Sequence, residues 1–333
     1  MNLNKFLHQW FGPSESIRVQ TSGSTGEPKE IRLKKEKMRA SARMTCQFLG
    51  LHAHDTALLC LPLDYIAGKM MVVRAVTCNL QLISVPPTSC PLQKIAEKPG
   101  KIGDIDFVAM VPMQVYNSLQ HPEQREILKR IRHLIIGGSA LDPALEEELK
   151  SFPNAVWSTY GMTETISHIA LRRVNGKEAS LWYKPFEGVD VSLNGEQCLV
   201  INAPYISSEP IVTNDIAETD AEGNSFRILG RRDNVICSGG LKLQIEAIED
   251  LLQPSMNGLF AVVGCPHPVL GECVVLLTTN PQLESVKLLC ETTLPRYWRP
   301  RKYIYVETIP LTPTGKIARQ EAKALALERM SEK

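Results

Sequence analysis

Thr21-Ser22-Gly23-Ser24-Thr25-Gly26-Glu27-Pro28-Lys29 places four hydroxyls, two glycines and a lysine within nine residues. Glycine lets the backbone approach a ligand and adopt turns that other residues disfavour. Successive backbone N–H groups in such a loop form a nest that attracts anions. The hydroxyls add donors, and Lys29 adds a charge that can reach a phosphate, so the stretch reads as a polyphosphate-binding loop. It is not a Walker A loop, because the residue five places after Gly23 is Pro28 and no G-K-[S/T] follows. Taken alone, the same stretch also reads as a flexible surface turn, and the residues around it decide the matter.

Short apolar runs alternate with helical patterns on either side of the loop. Ile17 to Gln20 and Ile31 to Leu33 read as strands flanking it. Lys35 to Leu49 carries a helical stripe with Gly50 as its C-cap. Runs at 57–61, 80–85, 106–111, 133–136 and 156–160 read as buried strands, and 68–78 reads as a buried helix. Asp142-Pro143 supplies an N-cap and a first-position proline for another helix. This alternation argues an α/β fold with a mainly parallel sheet. After about residue 180 strand patterns dominate, separated by turns such as Asn194-Gly195, which gives a β-rich subdomain. Beyond Arg231-Arg232-Asp233-Asn234 the last hundred or so residues carry a compact α+β pattern, enough for a small domain.

The chain has 333 residues, 44% hydrophobic and 22% charged, with a net charge of +1. That composition is ordinary for a globular protein of roughly two domains, and the charge favours neither nucleic acid nor a membrane surface. No apolar run approaches the roughly 20 residues of a membrane helix, and the N-terminus lacks the apolar core of a signal peptide. The nine cysteines are scattered and none forms C-x-x-C. Free thiols in a reducing cytoplasm are therefore expected, with neither a zinc site nor a disulfide framework.

Two further stretches lie at predicted strand ends, where open parallel sheets bind ligands. Gly137-Gly138-Ser139 can let an adenosine approach the backbone. In Tyr160-Gly161-Met162-Thr163-Glu164 a tyrosine can stack on a base, a threonine can donate to a phosphate, and a glutamate can hold Mg²⁺. Each piece alone is also compatible with a simple turn. Together and in order, the glycine loop, Gly-Gly-Ser and Tyr-Gly-Met-Thr-Glu resemble the adenylate-forming acyl-CoA synthetases. Thr213-Asn214-Asp215 resembles that family's Thr-Gly-Asp, the segment from Gly230 to Gly240 its hinge motif, and Pro313-Thr314-Gly315-Lys316 its catalytic-lysine loop. The motifs span residues 21 to 316.

The resemblance implies an adenylation domain over 1–232 and a mobile C-terminal domain over 233–333, with ATP, Mg²⁺ and coenzyme A as reactants. Lys316 would bridge the carboxylate and the α-phosphate. Thr163 would touch that phosphate, and Glu164 would help hold Mg²⁺. Thr21, Ser22, Gly23, Ser24, Thr25, Gly26 and Lys29 would hold the β- and γ-phosphates. Gly137, Gly138, Ser139, Tyr160 and Gly161 would line the adenine site, with Asp215 and Arg231 on the ribose. Asp233 would be the pivot, and Ser238, Gly239 and Gly240 would pass the pantetheine arm. Thr165-Ile166-Ser167-His168-Ile169 further resembles the o-succinylbenzoate-CoA ligases of menaquinone synthesis, which makes Ser167 and His168 candidate contacts to the acid. Tyr65 joins them, because Asp64-Tyr65 stands where the family carries an aromatic-His pair.

Three departures matter. Only 20 residues precede the glycine loop, where the family usually carries a long doubly wound subdomain. An apolar sheet face left bare by its loss is expected to favour self-association. Glu30 stands where glycine is frequent. Asn214 replaces the glycine of Thr-Gly-Asp, and asparagine tolerates positive φ better than most residues. Two other readings remain beside the CoA ligase: a ligase for another acid or for a carrier-protein thiol, and a nucleotide-binding remnant without catalysis. Lys316, Glu164 and Asp215 together speak against the remnant.

Overall fold

The computed structural model describes residues 1–20, 30–97, 103–312 and 315–331. The glycine loop from Thr21 to Lys29 therefore lies outside the described residues, as do Pro313 and Thr314.

The chain opens with helix α1 (Leu3–Phe11), capped by Asn2, whose side chain accepts from Lys5 N at 2.9 Å. Strands β1 (Ser16–Gln20) and β2 (Glu30–Lys34) pair antiparallel on either side of the glycine loop, and β2 runs into helix α2 (Lys35–Leu49). Gly50 ends α2 in the left-handed conformation, with φ of 62°. Phe6 and Trp10, one turn apart on α1, are fully buried in the main core. The Trp10 ring is covered by two cations of α2, Arg39 at 5.0 Å and Lys35 at 6.0 Å. Lys35 Nζ also donates to Gly12 O at 2.8 Å, so α1 is tied to α2 at both ends of that contact.

Among the described residues a seven-stranded sheet follows, in the order β4-β3-β5-β6-β7-β8-β9. Its strands and helices are β3 (Thr56–Leu59), α3 (Ile66–Cys78), β4 (Gln81–Ser84), α4 (Gln93–Ala96), β5 (Phe107–Met110), α5 (Pro112–Leu119), α6 (Pro122–Arg130), β6 (His133–Ile136), α7 (Pro143–Leu149), β7 (Ala155–Gly161), β8 (His168–Arg173) and β9 (Lys184–Pro185). β3 to β7 are parallel, and β8 and β9 add antiparallel at one edge. Alternation within the strands divides the core in two. Ala57, Leu59, Phe107 and Ala109 face α1, α2 and α3, whereas Leu58, Val108, Leu134 and Ile136 face α4 to α7. Both faces of the sheet are thus covered, and the bare apolar face anticipated from the sequence is not found among the described residues.

A four-stranded antiparallel sheet comes next: β10 (Asp190–Leu193), β11 (Cys198–Asn202), β12 (Ile211–Thr219) and β13 (Phe226–Arg231). After the short turn Arg232–Asn234, a third sheet contains β14 (Val235–Ser238), β15 (Leu241–Gln244), β16 (Phe260–His267), β17 (Gly271–Thr278) and β18 (Lys302–Tyr305). It packs against α8 (Ile245–Leu252) and α9 (Leu283–Thr293) in one apolar cluster and against α10 (Arg319–Ser331) in another. No described helix is long and apolar enough to cross a membrane, and all nine cysteines are free.

Removing Trp10 should therefore cost core stability. Trp10→Ala is expected to lower unfolding free energy by about 3–5 kcal/mol. The neighbouring Phe11, which is 69% exposed, should tolerate alanine within about 0.5 kcal/mol. Urea unfolding of the two variants checks this, and equal losses would contradict it.

Candidate active site

The site forms where strand ends of the large sheet meet β12 and β13. Gly137-Gly138-Ser139 leaves the carboxyl end of β6, and Tyr160-Gly161 ends β7 beside it. A Cβ on Gly137 would lie 2.1 Å from Thr159 Oγ1, so only glycine lets these two strand ends pass. Gly161 sits at a bulge in the β7–β8 pairing, where a Cβ would meet Ser167 O and His168 Cα at 2.4 Å.

Asp215 on β12 lies opposite Arg231 on β13 in the strand register. It is buried, and its two oxygens are shared. Tyr160 Oη donates to Oδ2 at 2.5 Å, and Arg231 Nη1 donates to Oδ1 at 2.9 Å. The Tyr160 ring packs edge-on against Phe226 at 5.0 Å and beside Tyr183 at 5.9 Å. Burial, then the Asp215 charge, raises the Tyr160 phenol well above its ordinary pKa, so the tyrosine stays a neutral donor. Arg231 Nη2 turns the other way and donates to Asp233 Oδ2 at 2.7 Å. Asn214 was expected to occupy a positive-φ position. It does not: the non-glycine residues with positive φ in the description are His54, Asn79, Ile166 and Gln197. Instead its side chain Nδ2 donates to Asp233 Oδ2 at 3.3 Å.

Lys316 lies in the loop before α10. Its loop closes on itself through Thr312 N to Lys316 O at 2.7 Å and Lys316 N to Thr312 Oγ1 at 3.1 Å. The residue is half-buried, and its pKa is lowered by burial and by the Arg231 charge, with Asp215 acting the opposite way. Thr163 is half-buried and Glu164 is exposed on the turn after β7. An exposed carboxylate of this kind suits Mg²⁺, which takes one or two carboxylates plus substrate oxygens. No group of three or more metal-ligating side chains occurs among the described residues. Ser238, Gly239 and Gly240 form the β14–β15 hairpin turn, and Gly239 N donates to Leu270 O at 2.9 Å.

A second cluster lies behind Glu164. Thr165 is buried, and its hydroxyl takes the Met162 N–H at 2.8 Å. This tight turn holds Ile166 at φ of 67°, a strained conformation for a β-branched residue. The strain delivers Ser167 and His168 inward. His168 is not a water-facing contact but a buried one, on β8 against Phe186 at 5.5 Å. Its Nε2 lies 3.0 Å from Thr45 Oγ1, and that hydroxyl in turn lies 3.2 Å from Ser41 O. Its Nδ1 is 3.4 Å from Ser167 Oγ, which accepts from Arg74 Nη2 at 2.7 Å. One consistent direction of donation runs Arg74, Ser167, His168, Thr45, Ser41 O, which assigns the proton of the neutral ring to Nε2. Burial, then Arg74, pushes the imidazole pKa well below its ordinary value.

Arg74 is the residue the sequence reading missed. It lies on α3, is 1% exposed, and has no acidic partner among the described residues. Its Nε has no hydrogen-bond partner, and burial lowers its pKa to about 10. The signal was present in Met70-Met71-Val72-Val73-Arg74-Ala75, a charge inside an apolar helix without an acidic neighbour one turn away. Tyr65, at the N-cap of the same helix, is half-buried.

The pattern of the AMP-binding enzyme family matches residues 19–197, more than half of the chain. The chain belongs to the AMP-binding enzyme family. The family's C-terminal domain, described as the AMP-binding enzyme C-terminal domain, matches residues 260–316 and ends at Lys316. Among relatives of this family member, the 2-succinylbenzoate-CoA ligase of Bacillus mycoides is 25% identical, covering 97% of this chain and 73% of that protein. The 2-succinylbenzoate-CoA ligase of Staphylococcus epidermidis is 28% identical over 91% of this chain and 68% of its own length. A solved acyl-CoA synthetase (AMP-forming)/AMP-acid ligase II-like protein from Dyadobacter fermentans is 32% identical. It covers 97% of this chain and 93% of its own, with a TM-score of 0.64. The o-succinylbenzoate coenzyme A synthetase of Bacillus subtilis, solved with ATP and magnesium ion, shares the fold. Its TM-score is 0.76 at 21% identity, over 92% of this chain and 69% of that one. The adenylate-forming enzyme fold anticipated from the motifs is therefore the fold of this chain.

The buried neutral His168 fixes the sign of one pH effect. The unfolded state takes up a proton near pH 6.5, while the native imidazole does not, so stability is lost as pH falls through that range. From pH 7 to pH 5 this histidine should cost the wild-type protein about 2 kcal/mol. His133, whose pKa burial lowers to about 4, adds a loss of the same sign. Urea unfolding at the two pH values should show a smaller drop in His168→Asn than in wild type. An equal drop would contradict the assignment.

Proposed function

We propose that this chain joins o-succinylbenzoate to coenzyme A at the expense of ATP, through an acyl-adenylate, with AMP and pyrophosphate as products. Arg74 is the observation that carries the choice of acid. A buried guanidinium without an acidic partner is costly unless an anion comes to it. A dicarboxylate supplies that anion with one carboxylate and leaves the other for activation. Phe48 packs on Trp157 at 5.5 Å and on Phe186 at 5.0 Å, and Phe186 meets His168 at 5.5 Å, an aromatic cluster whose apolar surface suits a benzene ring. The names of the curated relatives support the same acid.

In the first half-reaction a carboxylate oxygen bonds to the α-phosphorus, and the bond from that phosphorus to the pyrophosphate oxygen breaks. Negative charge grows on the phosphoryl oxygens, so positioned cations and donors lower the barrier. Lys316 supplies the ammonium between carboxylate and phosphate, and Thr163 supplies a hydroxyl. Asp215, oriented by Tyr160 and Arg231, accepts from the ribose. Glu164 would help hold Mg²⁺, which would neutralise phosphate charge when bound. The stretch from Thr21 to Lys29 takes the β- and γ-phosphates. In the second half-reaction the coenzyme A sulfur attacks the acyl carbon, the thiol proton leaves, and the bond to AMP breaks. The chain would divide at 232/233 and turn about Asp233, replacing Lys316 by Ser238-Gly239-Gly240. The nine free thiols suit a cytoplasmic location.

The test is product analysis by mass spectrometry with ATP, Mg²⁺, coenzyme A and a panel of mono- and dicarboxylic acids. o-Succinylbenzoyl-CoA and AMP should appear together, and Lys316→Ala should lose about 100-fold or more in rate. Arg74→Leu should lower turnover of o-succinylbenzoate by about 30- to 1000-fold, with little effect on a monocarboxylate. Its melting temperature should hold or rise, since an unpaired buried charge is removed. A better substrate without a second carboxylate would overturn the acid. ATP binding without turnover of any acid would leave a nucleotide-binding protein.

A further inference from the structure

Asn214 has no backbone reason to be asparagine, since its φ is negative, and the resembling motif carries glycine there. Its side chain reaches across the boundary between the second and third sheets. Nδ2 donates to Asp233 Oδ2 at 3.3 Å, the same oxygen that accepts from Arg231 Nη2 at 2.7 Å. Arg231 Nη1 holds Asp215 at 2.9 Å, and Asp215 follows Asn214 directly in β12. These four residues form a closed circuit between the ribose aspartate and the first turn after β13. Gln244 Nε2 donates to Arg231 O at 2.8 Å, so the C-terminal sheet joins the circuit from its own side.

Lys316 feels the charges of Arg231 and Asp215, two members of this circuit. Any turn of the backbone at Asp233 swings its carboxylate away from both donors. Arg231 is required by the nucleotide site in any case. Asn214 adds a bond that exists only while Asp233 points toward β12.

We propose that Asn214 is a positioning residue, which holds Asp233 and with it the C-terminal domain in the arrangement that presents Lys316 to the nucleotide. This rests on the hinge reading of Asp233 given above. It makes Asn214 a setting of the balance between the two half-reactions, favouring the adenylate-forming arrangement over the thioester-forming one.

Hydrogen-deuterium exchange of the full chain tests this without any acid, so it stands apart from the choice of substrate. Asn214→Ala should speed exchange in residues 231–244 and around Lys316 by about threefold to tenfold, the weight of one partly exposed hydrogen bond. Exchange in β6 should stay unchanged, which checks folding, and Asn214→Ser provides a second variant. In an Asp233→Ala background the same substitution should add nothing. In single turnovers, adenylate formation should slow by about threefold, while transfer from the adenylate to coenzyme A holds or quickens. Unchanged hinge exchange, an equal effect without Asp233, or a parallel fall in both half-reactions would overturn the proposal.

Discussion

One carboxylate, that of Asp215, ties the large sheet to the neighbouring one at the candidate site. Tyr160 comes to it from the large sheet and Arg231 from the neighbouring strand, while Lys316 feels its charge. A buried carboxylate is tolerable only when hydrogen-bonded and balanced by cations. Burial therefore makes Asp215 demand these partners. The tyrosine is forced to remain a neutral donor, and the arginine is held in a fork whose second nitrogen bonds Asp233.

That fork links Asp215 to Asp233 through one guanidinium. Asn214 donates to the same oxygen of Asp233, so the turn after β13 is held to β12 by charge-assisted hydrogen bonds.

The cluster around His168 follows the opposite logic. Its relay from Arg74 through Ser167, His168 and Thr45 is largely buried, and the guanidinium Nε is left without a partner. Strain at Ile166 and an unpaired cation at Arg74 are both costs to folding that a dicarboxylate ligand would offset. The large sheet, with α1 packed beneath it through Trp10, supplies the rigid frame on which those costs can be carried.

Much of this was legible in the residues. The helix over Lys35 to Leu49, the strand over His133 to Ile136 and the Asp142 cap appear where capping and periodicity place them. β12 was not legible, because Thr213-Asn214-Asp215 interrupts its apolar alternation with polar groups aimed at the site. β8 was hidden for a similar reason: Thr165 to His168 reads as a polar motif, and only the turn at Ile166 reveals that it feeds a buried strand. Arg74 and the role of Asn214 depend on partners 93 and 19 residues away, which no local pattern contains.

If the residues gathered on Asp215 form an acyl-adenylate before any thiol takes part, acid-dependent exchange of labelled pyrophosphate into ATP, without coenzyme A, measures that step alone. Exchange should require o-succinylbenzoate and Mg²⁺ and proceed without a thiol. Exchange that is absent with every acid, or that appears only when coenzyme A is added, would contradict that reading.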